Sequence, residues 1–195
     1  AHNNLGNALI ELRQPVAALA SFDLAILINS DKSEFHNNRG NALMDLKQLD
    51  AALKSFEHAV HLQPNFAEAH SNRGNAQKEL RQLVPAVASY DRALALKPEL
   101  AEAHNNRGTA LRDLKQLHQA IVSYDNAINF KSDFVEPYNN RGNVLLELKE
   151  FKAAAASYEH ALNLKPDYDY LFSKLLYARM QLCNWADFEK NVTQL

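Results

Sequence analysis

The five glycines of the chain stand 34 residues apart, at Gly6, Gly40, Gly74, Gly108 and Gly142. Chance placement would almost never give so regular a spacing, so the sequence is an internal repeat. The 195 residues predict five copies over residues 1–168, the first lacking its opening residues. A divergent, shortened sixth copy over 169–195 is expected to cap the array or join it to a further domain.

The second half of each copy carries small and aromatic residues at helical spacing. Ala52, Phe56 and Ala59 are the example from the second copy. Small residues admit a close neighbouring helix and aromatic residues fill the gaps between helices, so the pattern predicts a packed helix. The aromatic positions are Phe22, Phe56, Tyr90, Tyr124 and Tyr158.

Turn and cap residues divide each copy into two helices. Asp31 with Glu34 three residues later has the spacing of a capping box, and prolines such as Pro64 stand where the preceding helix should end. The second copy is therefore predicted to form helices over 33–46 and 50–62. Glycine inside a helix costs about 1 kcal/mol relative to alanine, so the glycine column predicts a helix crossing too close for a β-carbon.

The period, the glycine column, the alanine and aromatic columns and the proline before each new unit resemble the tetratricopeptide repeat (TPR) family. The resemblance implies an all-α fold, an α-solenoid of helix-turn-helix units in a right-handed superhelix, with the first helices on its concave surface. The chain departs from the family where leucine is usual. At those positions the arginine stems are expected to pack while the guanidinium reaches solvent or a carboxylate; they are Arg39, Arg73, Arg107 and Arg141.

A polar stripe rich in asparagine follows the predicted first helices on the side opposite the glycines. Asparagine is a poor helix former, so its recurrence favours a function. Its carboxamide can pair with both the N–H and the C=O of an extended peptide. We therefore predict a peptide-binding site at Asn4, Asn38, Asn72, Asn106 and Asn140, with Asn7, Asn41, Asn75 and Asn143 beside them.

Other interpretations of these columns stay open. The asparagines could instead form hydrogen bonds between helices, or they could be left over from recent duplication. The glutamates beside them could serve only as helix caps. A structural scaffold that self-associates through its repeat faces or its ends is the alternative function.

Composition argues against several other classes of protein. The 21 basic and 23 acidic residues nearly balance, so no strong field recruits nucleic acid or anionic lipid. No apolar run approaches the roughly 20 residues that span a bilayer, and we expect a cytoplasmic protein without a membrane partner. Phosphate loops, dinucleotide fingerprints and paired catalytic carboxylates are missing from the sequence, so no catalytic residue or cofactor is predicted.

The histidine column and the single cysteine do not predict chemistry. His36 and His70 stand one repeat apart, and helices about 8–10 Å apart cannot share a zinc ion with bonds of about 2.0–2.1 Å. We expect these histidines to fill an aromatic packing position and predict no metal site. Cys183 is expected to be a buried, inert thiol.

The sixth copy contains the segment CNWADF at 183–188, and an amphipathic edge is predicted at Trp185, Phe188, Val192 and Leu195. With the asparagine column, this segment resembles the last TPRs of the O-linked N-acetylglucosamine transferase family, just before the glycosyltransferase domain. The resemblance implies that the asparagines hold the backbone of protein substrates. Since that catalytic domain is absent, we expect the chain itself not to be an enzyme.

Overall fold

The computed structural model describes residues 1–168 and 170–182, which fold into α-helices connected by short turns. The second predicted copy forms helices at Ser33–Asp45 and Leu49–Leu62, within one residue of the predicted bounds. Cys183 and the predicted edge at Trp185, Phe188, Val192 and Leu195 lie outside the described residues. The helices are α1 (His2–Glu11), α2 (Pro15–Ile28), α3 (Ser33–Asp45), α4 (Leu49–Leu62), α5 (Ala67–Glu79), α6 (Leu83–Leu96), α7 (Ala101–Asp113), α8 (Leu117–Phe130), α9 (Val135–Glu147), α10 (Phe151–Leu164) and α11 (Leu171–Gln181).

The helices pair into hairpins within two compact units. In the first unit, Ala1–Glu99, α1 packs on α2, α3 on α4 and α5 on α6, and each hairpin also contacts the next. In the second unit, which begins at Leu100, α7 packs on α8, α9 on α10, and α10 on α11. First helices of neighbouring hairpins also touch, as α3 touches α1 and α5. The predicted all-α fold of stacked helical hairpins is confirmed.

An aromatic ring packed against a glycine forms the centre of each hairpin. Phe56 and the alanines on either side of it, Ala52 and Ala59, are fully buried. A β-carbon added at Gly40 would lie 2.5 Å from Cε1 of Phe56, far inside ordinary van der Waals contact. The glycine is therefore needed because the ring of the second helix lies directly on the first. The same contact joins Gly6 to Phe22, Gly74 to Tyr90, Gly108 to Tyr124 and Gly142 to Tyr158.

A left-handed residue makes the turn inside each hairpin. Lys47 has φ 58°, its N–H donates to the Met44 carbonyl at 3.0 Å, and the next N–H, of Gln48, donates to the Leu43 carbonyl at 2.9 Å. This pair of bonds is a Schellman motif, which satisfies the last carbonyls of α3. Arg13, Arg81, Lys115 and Lys149 hold the same positive φ.

The capping-box prediction is wrong. Helix α3 begins one residue later than the box requires, with Lys32 at the N-cap and no side-chain hydrogen bond there. Asp31 therefore precedes the cap and Glu34 falls on the second helical residue, so neither reaches the N–H that a box would satisfy. The other first helices that open a copy, α5, α7 and α9, also start after an N-cap without a side-chain bond.

Candidate peptide-binding face

The predicted asparagines lie on one side of the first helices, away from the buried rings. We call this side the asparagine face. In the first unit it comprises Asn4 and Asn7 of α1, Asn38 and Asn41 of α3, and Asn72 and Asn75 of α5. In the second unit it comprises Asn106 of α7 and Asn140 and Asn143 of α9. Asn4 and Asn7 are exposed and the others are half-buried.

Hydrogen bonds between carboxamides link consecutive first helices across this face. Asn38 donates through Nδ2 to Oδ1 of Asn3 at 3.0 Å and of Asn7 at 3.1 Å. Asn72 donates to Oδ1 of Asn37 at 3.0 Å. These contacts orient each carboxamide before any ligand arrives.

The second unit repeats this arrangement. Asn140 donates through Nδ2 to Oδ1 of Asn105 at 3.0 Å. The acceptor again stands 35 residues before the donor, as Asn37 does before Asn72. The same donor geometry therefore recurs in both units, each taken by itself.

Sequence reasoning missed the acceptors of these bonds. Asn3, Asn37 and Asn105 immediately precede a predicted site residue and are buried. The signal was the doubled asparagine in copies that read NNLG or NNRG, of which only the second asparagine entered the prediction. Asn3 is itself positioned, because its Nδ2 donates to the Glu34 carboxylate at 3.1 Å. Glu34 therefore supports the amide network instead of capping a helix.

The bonds between helices leave part of some carboxamides unused, although Asn38 spends its N–H groups on Asn3 and Asn7 and its Oδ1 accepts from Asn37 at 3.5 Å. A carboxamide offers two N–H groups and an oxygen with two lone pairs. Asn72 and Asn140 each spend one N–H, and within the described residues their second N–H and their Oδ1 have no hydrogen-bond partner. Asn4 makes no side-chain hydrogen bond to the described part of the chain. A donor and an acceptor thus remain available side by side.

The second asparagine column is coupled to the buried tyrosines. The Tyr90 hydroxyl donates to Oδ1 of Asn75 at 2.8 Å, and the Tyr158 hydroxyl donates to Oδ1 of Asn143 at 3.0 Å. Burial raises the pKa of both tyrosines, so both hydroxyls remain donors at neutral pH. Asn41 lies in a copy whose ring is Phe56, which has no hydroxyl, and it makes no hydrogen bond within the described residues.

Lys174 occupies the position of the ladder asparagine in the sixth copy. Its Nζ donates to Oδ1 of Asn139 at 2.9 Å and lies 6.0 Å from the centre of the Tyr158 ring. Burial, together with the nearby positive charge of Arg112, lowers the pKa of Lys174. A lysine therefore replaces the carboxamide as donor to the preceding first helix and adds a positive charge to the face.

The arginine column ties hairpins together, as the packing interpretation predicts. Arg39 donates through Nε to Asp23 of the preceding hairpin at 2.7 Å and through Nη1 to Ser55 of its own hairpin at 2.7 Å. Arg141 makes the same pair of contacts, to Asp125 at 2.6 Å and Ser157 at 3.1 Å. The serine column was missed, although its small polar residue inside an apolar helix was visible in the sequence.

The histidine column joins each first helix to the turn before it. Nε2 of His36 contacts the Ser30 carbonyl at 2.7 Å, and Nε2 of His70 contacts the Pro64 carbonyl at 3.0 Å. A carbonyl only accepts, so both Nε2 atoms carry the proton. The Tyr138 hydroxyl makes the equivalent bond to the Ser132 carbonyl at 3.2 Å. The column is therefore a packing position, as expected, with a hydrogen bond added.

Neither a metal cluster nor a membrane span occurs in the described part of the chain. Over residues 1–168 and 170–182, histidine, cysteine and acidic side chains form no group that could hold a metal ion. Within the same residues, every helix is too short or too polar to cross a bilayer.

Two family models match the sequence. One, described as TPR repeat, matches residues 40–80 and 108–149. The other, described as tetratricopeptide repeat, matches residues 135–168. Together the matched ranges cover just over half of the chain. The chain belongs to the tetratricopeptide repeat family. No curated protein gives a significant match to the sequence.

Solved TPR structures share this fold. MamA from Desulfovibrio magneticus RS-1 has a TM-score of 0.77 at 20% identity, covering 86% of this chain and 95% of that one. YrrB, described as a TPR protein with an unusual peptide-binding site, has a TM-score of 0.73 at 20% identity, covering 92% and 90%. TTC0263 from Thermus thermophilus has a TM-score of 0.72 at 23% identity, covering 92% and 97%. At these identities the similarity is one of fold.

Proposed function

We propose that this TPR chain binds extended polypeptide along its asparagine face. The observation that supports the proposal is the unused N–H and oxygen on oriented carboxamides such as Asn72 and Asn140. An extended backbone presents the complementary C=O and N–H. A hydrogen bond to backbone is indifferent to ligand side chains, so the site should tolerate many sequences.

The helix spacing fits an extended ligand. Neighbouring helices lie about 8–10 Å apart, and an extended chain advances about 3.3 Å per residue. One carboxamide thus serves about every third ligand residue. Exposed acids on the same helices, such as Glu102 and Glu136, would favour basic or hydroxyl-rich peptides. YrrB, which shares the fold, is described as having a peptide-binding site, and this supports the proposal.

The test is affinity for an unstructured peptide rich in lysine, serine and threonine, measured by fluorescence anisotropy. Replacing Asn4 and Asn72 together with alanine removes two rungs of the first unit whose carboxamides have unused groups. At about 0.5–1.5 kcal/mol per hydrogen bond, the dissociation constant should rise about tenfold or more.

A matched control separates binding from packing, because Asn72 also contacts Asn37. Asn37→Ser removes that acceptor but leaves both ladder carboxamides in place, and serine is the natural residue at Ser71. Asn37→Ser should weaken peptide binding much less than the double variant. Equal affinity in the double variant and the unchanged chain, with helicity retained, would remove the proposal.

The narrower prediction concerns the parent protein. We propose that the chain is the substrate-holding arm of an O-linked N-acetylglucosamine transferase-like protein, on the resemblance of its last copy to that family. The prediction requires a glycosyltransferase domain after Leu195 in the parent gene product. The chain alone should not turn over a sugar nucleotide.

Self-association is the second candidate function, favoured by an exposed apolar surface on the first hairpin. Leu27 is 82% exposed and Ile28 73%, whereas the later copies carry His61, Ala95, Asn129 and Asn163 at the position of Leu27. Light scattering should then show a mass that rises with concentration and falls in Leu27→Asn. A constant monomer mass would exclude this function.

A further inference from the structure

A cavity of about 350 Å³ lies in the first unit, between α2, α3 and α4. His36 and Arg39 line it from α3, and Lys54 and His58 line it from α4. On α3, at 100° per residue, His36 and Arg39 point away from Asn38 and Asn41. The cavity is therefore separate from the asparagine face.

Three nitrogen groups around this cavity are not committed to protein partners. Arg39 uses Nε and Nη1 for Asp23 and Ser55, which leaves Nη2. The Lys54 ammonium makes no hydrogen bond or ion pair within the described residues. The ring nitrogens of His58 likewise have no hydrogen-bond partner there, and its ring instead contacts His36, with centroids 4.2 Å apart. Donors from two helices thus face one space.

The charges around the cavity favour an anion. Asp23 is the acidic residue in the lining, and its carboxylate is already paired with Arg39 at 2.7 Å. Lys54 adds a positive charge that makes no ion pair within the described residues. Burial lowers the pKa of His36, whose Nε2 is occupied by the Ser30 carbonyl. His36 therefore contributes a neutral ring that packs against His58.

The other copies provide an internal comparison. Arginine recurs at the Arg39 position in later copies, where it bonds the serine of its own hairpin, so it alone marks no ligand site. Lys54 does not recur, since its equivalents are Ala20, Ala88, Val122 and Ala156. The uncommitted lysine beside a histidine and an arginine is a feature of the second copy, which the repeated architecture does not require.

We propose that this cavity binds a phosphate monoester, the group carried by a phosphorylated serine or threonine. Such a group carries a charge of about −1.5 to −2 and three acceptor oxygens. The cavity offers three separate donors, which are Arg39 Nη2, Lys54 Nζ and a His58 ring nitrogen. They match the three acceptor oxygens of a phosphate monoester, whereas a carboxylate has only two oxygens. Charge-assisted hydrogen bonds of this type are the strong ones in proteins.

The test follows histidine ring signals by NMR while O-phosphoserine or inorganic phosphate is added at constant ionic strength. Saturable shifts at His58 and His36, without shifts at the exposed His118 of α8, are expected. Serine and acetate serve as matched ligands and should give no saturable shift. Binding of O-phosphoserine but not of inorganic phosphate identifies a phosphorylated side chain as the source, and binding of both indicates the phosphate group alone.

Lys54→Ala should weaken phosphate binding about tenfold, the loss of one charge-assisted hydrogen bond. Alanine is the natural residue at three equivalent positions, so helicity by circular dichroism should not change. Lys152→Ala, in the second unit, is the matched charge control and should bind as the unchanged chain does. Equal affinity in Lys54→Ala, or shifts with acetate as large as with phosphate, would overturn the proposal.

Discussion

Alanine at Gly40 should destabilise the protein, although alanine is the better helix former. The added β-carbon would lie 2.5 Å from Cε1 and 2.8 Å from Cδ1 and Cζ of Phe56. Comfortable carbon–carbon separations are about 3.5–4.0 Å, so the ring has to move by about 1 Å. Phe56 is fully buried, and protein interiors leave few voids into which a ring can move.

Two opposing free energies set the expected size of this effect. Overpacking a core costs about 1–3 kcal/mol. Replacing an interior helical glycine with alanine contributes about 1 kcal/mol of stabilisation. We therefore expect Gly40→Ala to lower the free energy of unfolding by about 1 kcal/mol. The sign of this change shows whether the ring contact outweighs helix propensity, since helix propensity alone predicts that Gly40→Ala raises the free energy of unfolding.

Urea unfolding followed by circular dichroism measures the change, and amide exchange in α3 reports it locally. Repeat proteins can unfold in parts, so both readouts should move in the same direction. In a Phe56→Ala background the ring is absent, and Gly40→Ala should then stabilise by about 1 kcal/mol. If Gly40→Ala also stabilises the chain that retains Phe56, the ring contact is not the reason for the glycine.

Two further substitutions test the buried polar contacts. Ser89→Ala should destabilise the protein by about 1–3 kcal/mol, because Ser89 accepts a hydrogen bond from Arg73 at 3.0 Å and donates one to Gln77 at 2.6 Å. Ser173 is exposed, so Ser173→Ala should leave the free energy of unfolding unchanged in the same urea assay. Equal effects of the two substitutions would contradict the role of Ser89. Burial lowers the pKa of His70 below 6.5, so the unfolded chain binds the proton more readily and stability should fall as pH drops below that value. His70→Tyr, which copies Tyr138, should flatten this pH dependence in urea midpoints, and an unchanged slope would contradict it.

The period of 34 residues was enough to predict the hairpins, and the two helices of the second copy were placed to within one residue. Glycine and aromatic residues 16 positions apart report one contact that recurs in every hairpin, so the sequence repeats what the packing requires. Capping was predicted less well. The residues of the Asp31 column are of a type that caps helices. Helix α3 starts one residue later than the capping box requires, so the capping hydrogen bond is not made. The spacing of residues along the sequence does not reveal such a shift.

The candidate site was only partly visible in the sequence. Helical periodicity placed Asn38 and Asn72 on the side of their own helices that faces away from the glycine, because the spacing within one helix fixes which side chains share a face. Their partners, Asn3 and Asn37, belong to the preceding helix. Which side chains meet across two helices depends on how the helices pack, and a single-helix pattern does not contain that information.

The hydrogen bonds of the arginine column restrict which insertions and deletions this protein can accept. Arg39 contacts residues 16 positions before and after it, and Arg141 does the same. Deleting residues 41–74 would bring Ser89 to the position of Ser55, 16 residues after Arg39, so the arginine–serine hydrogen bond would be kept. Gain or loss of whole copies is therefore nearly neutral for these bonds. An insertion of any other length between an arginine and its serine would change this spacing of 16 residues, and selection should remove it.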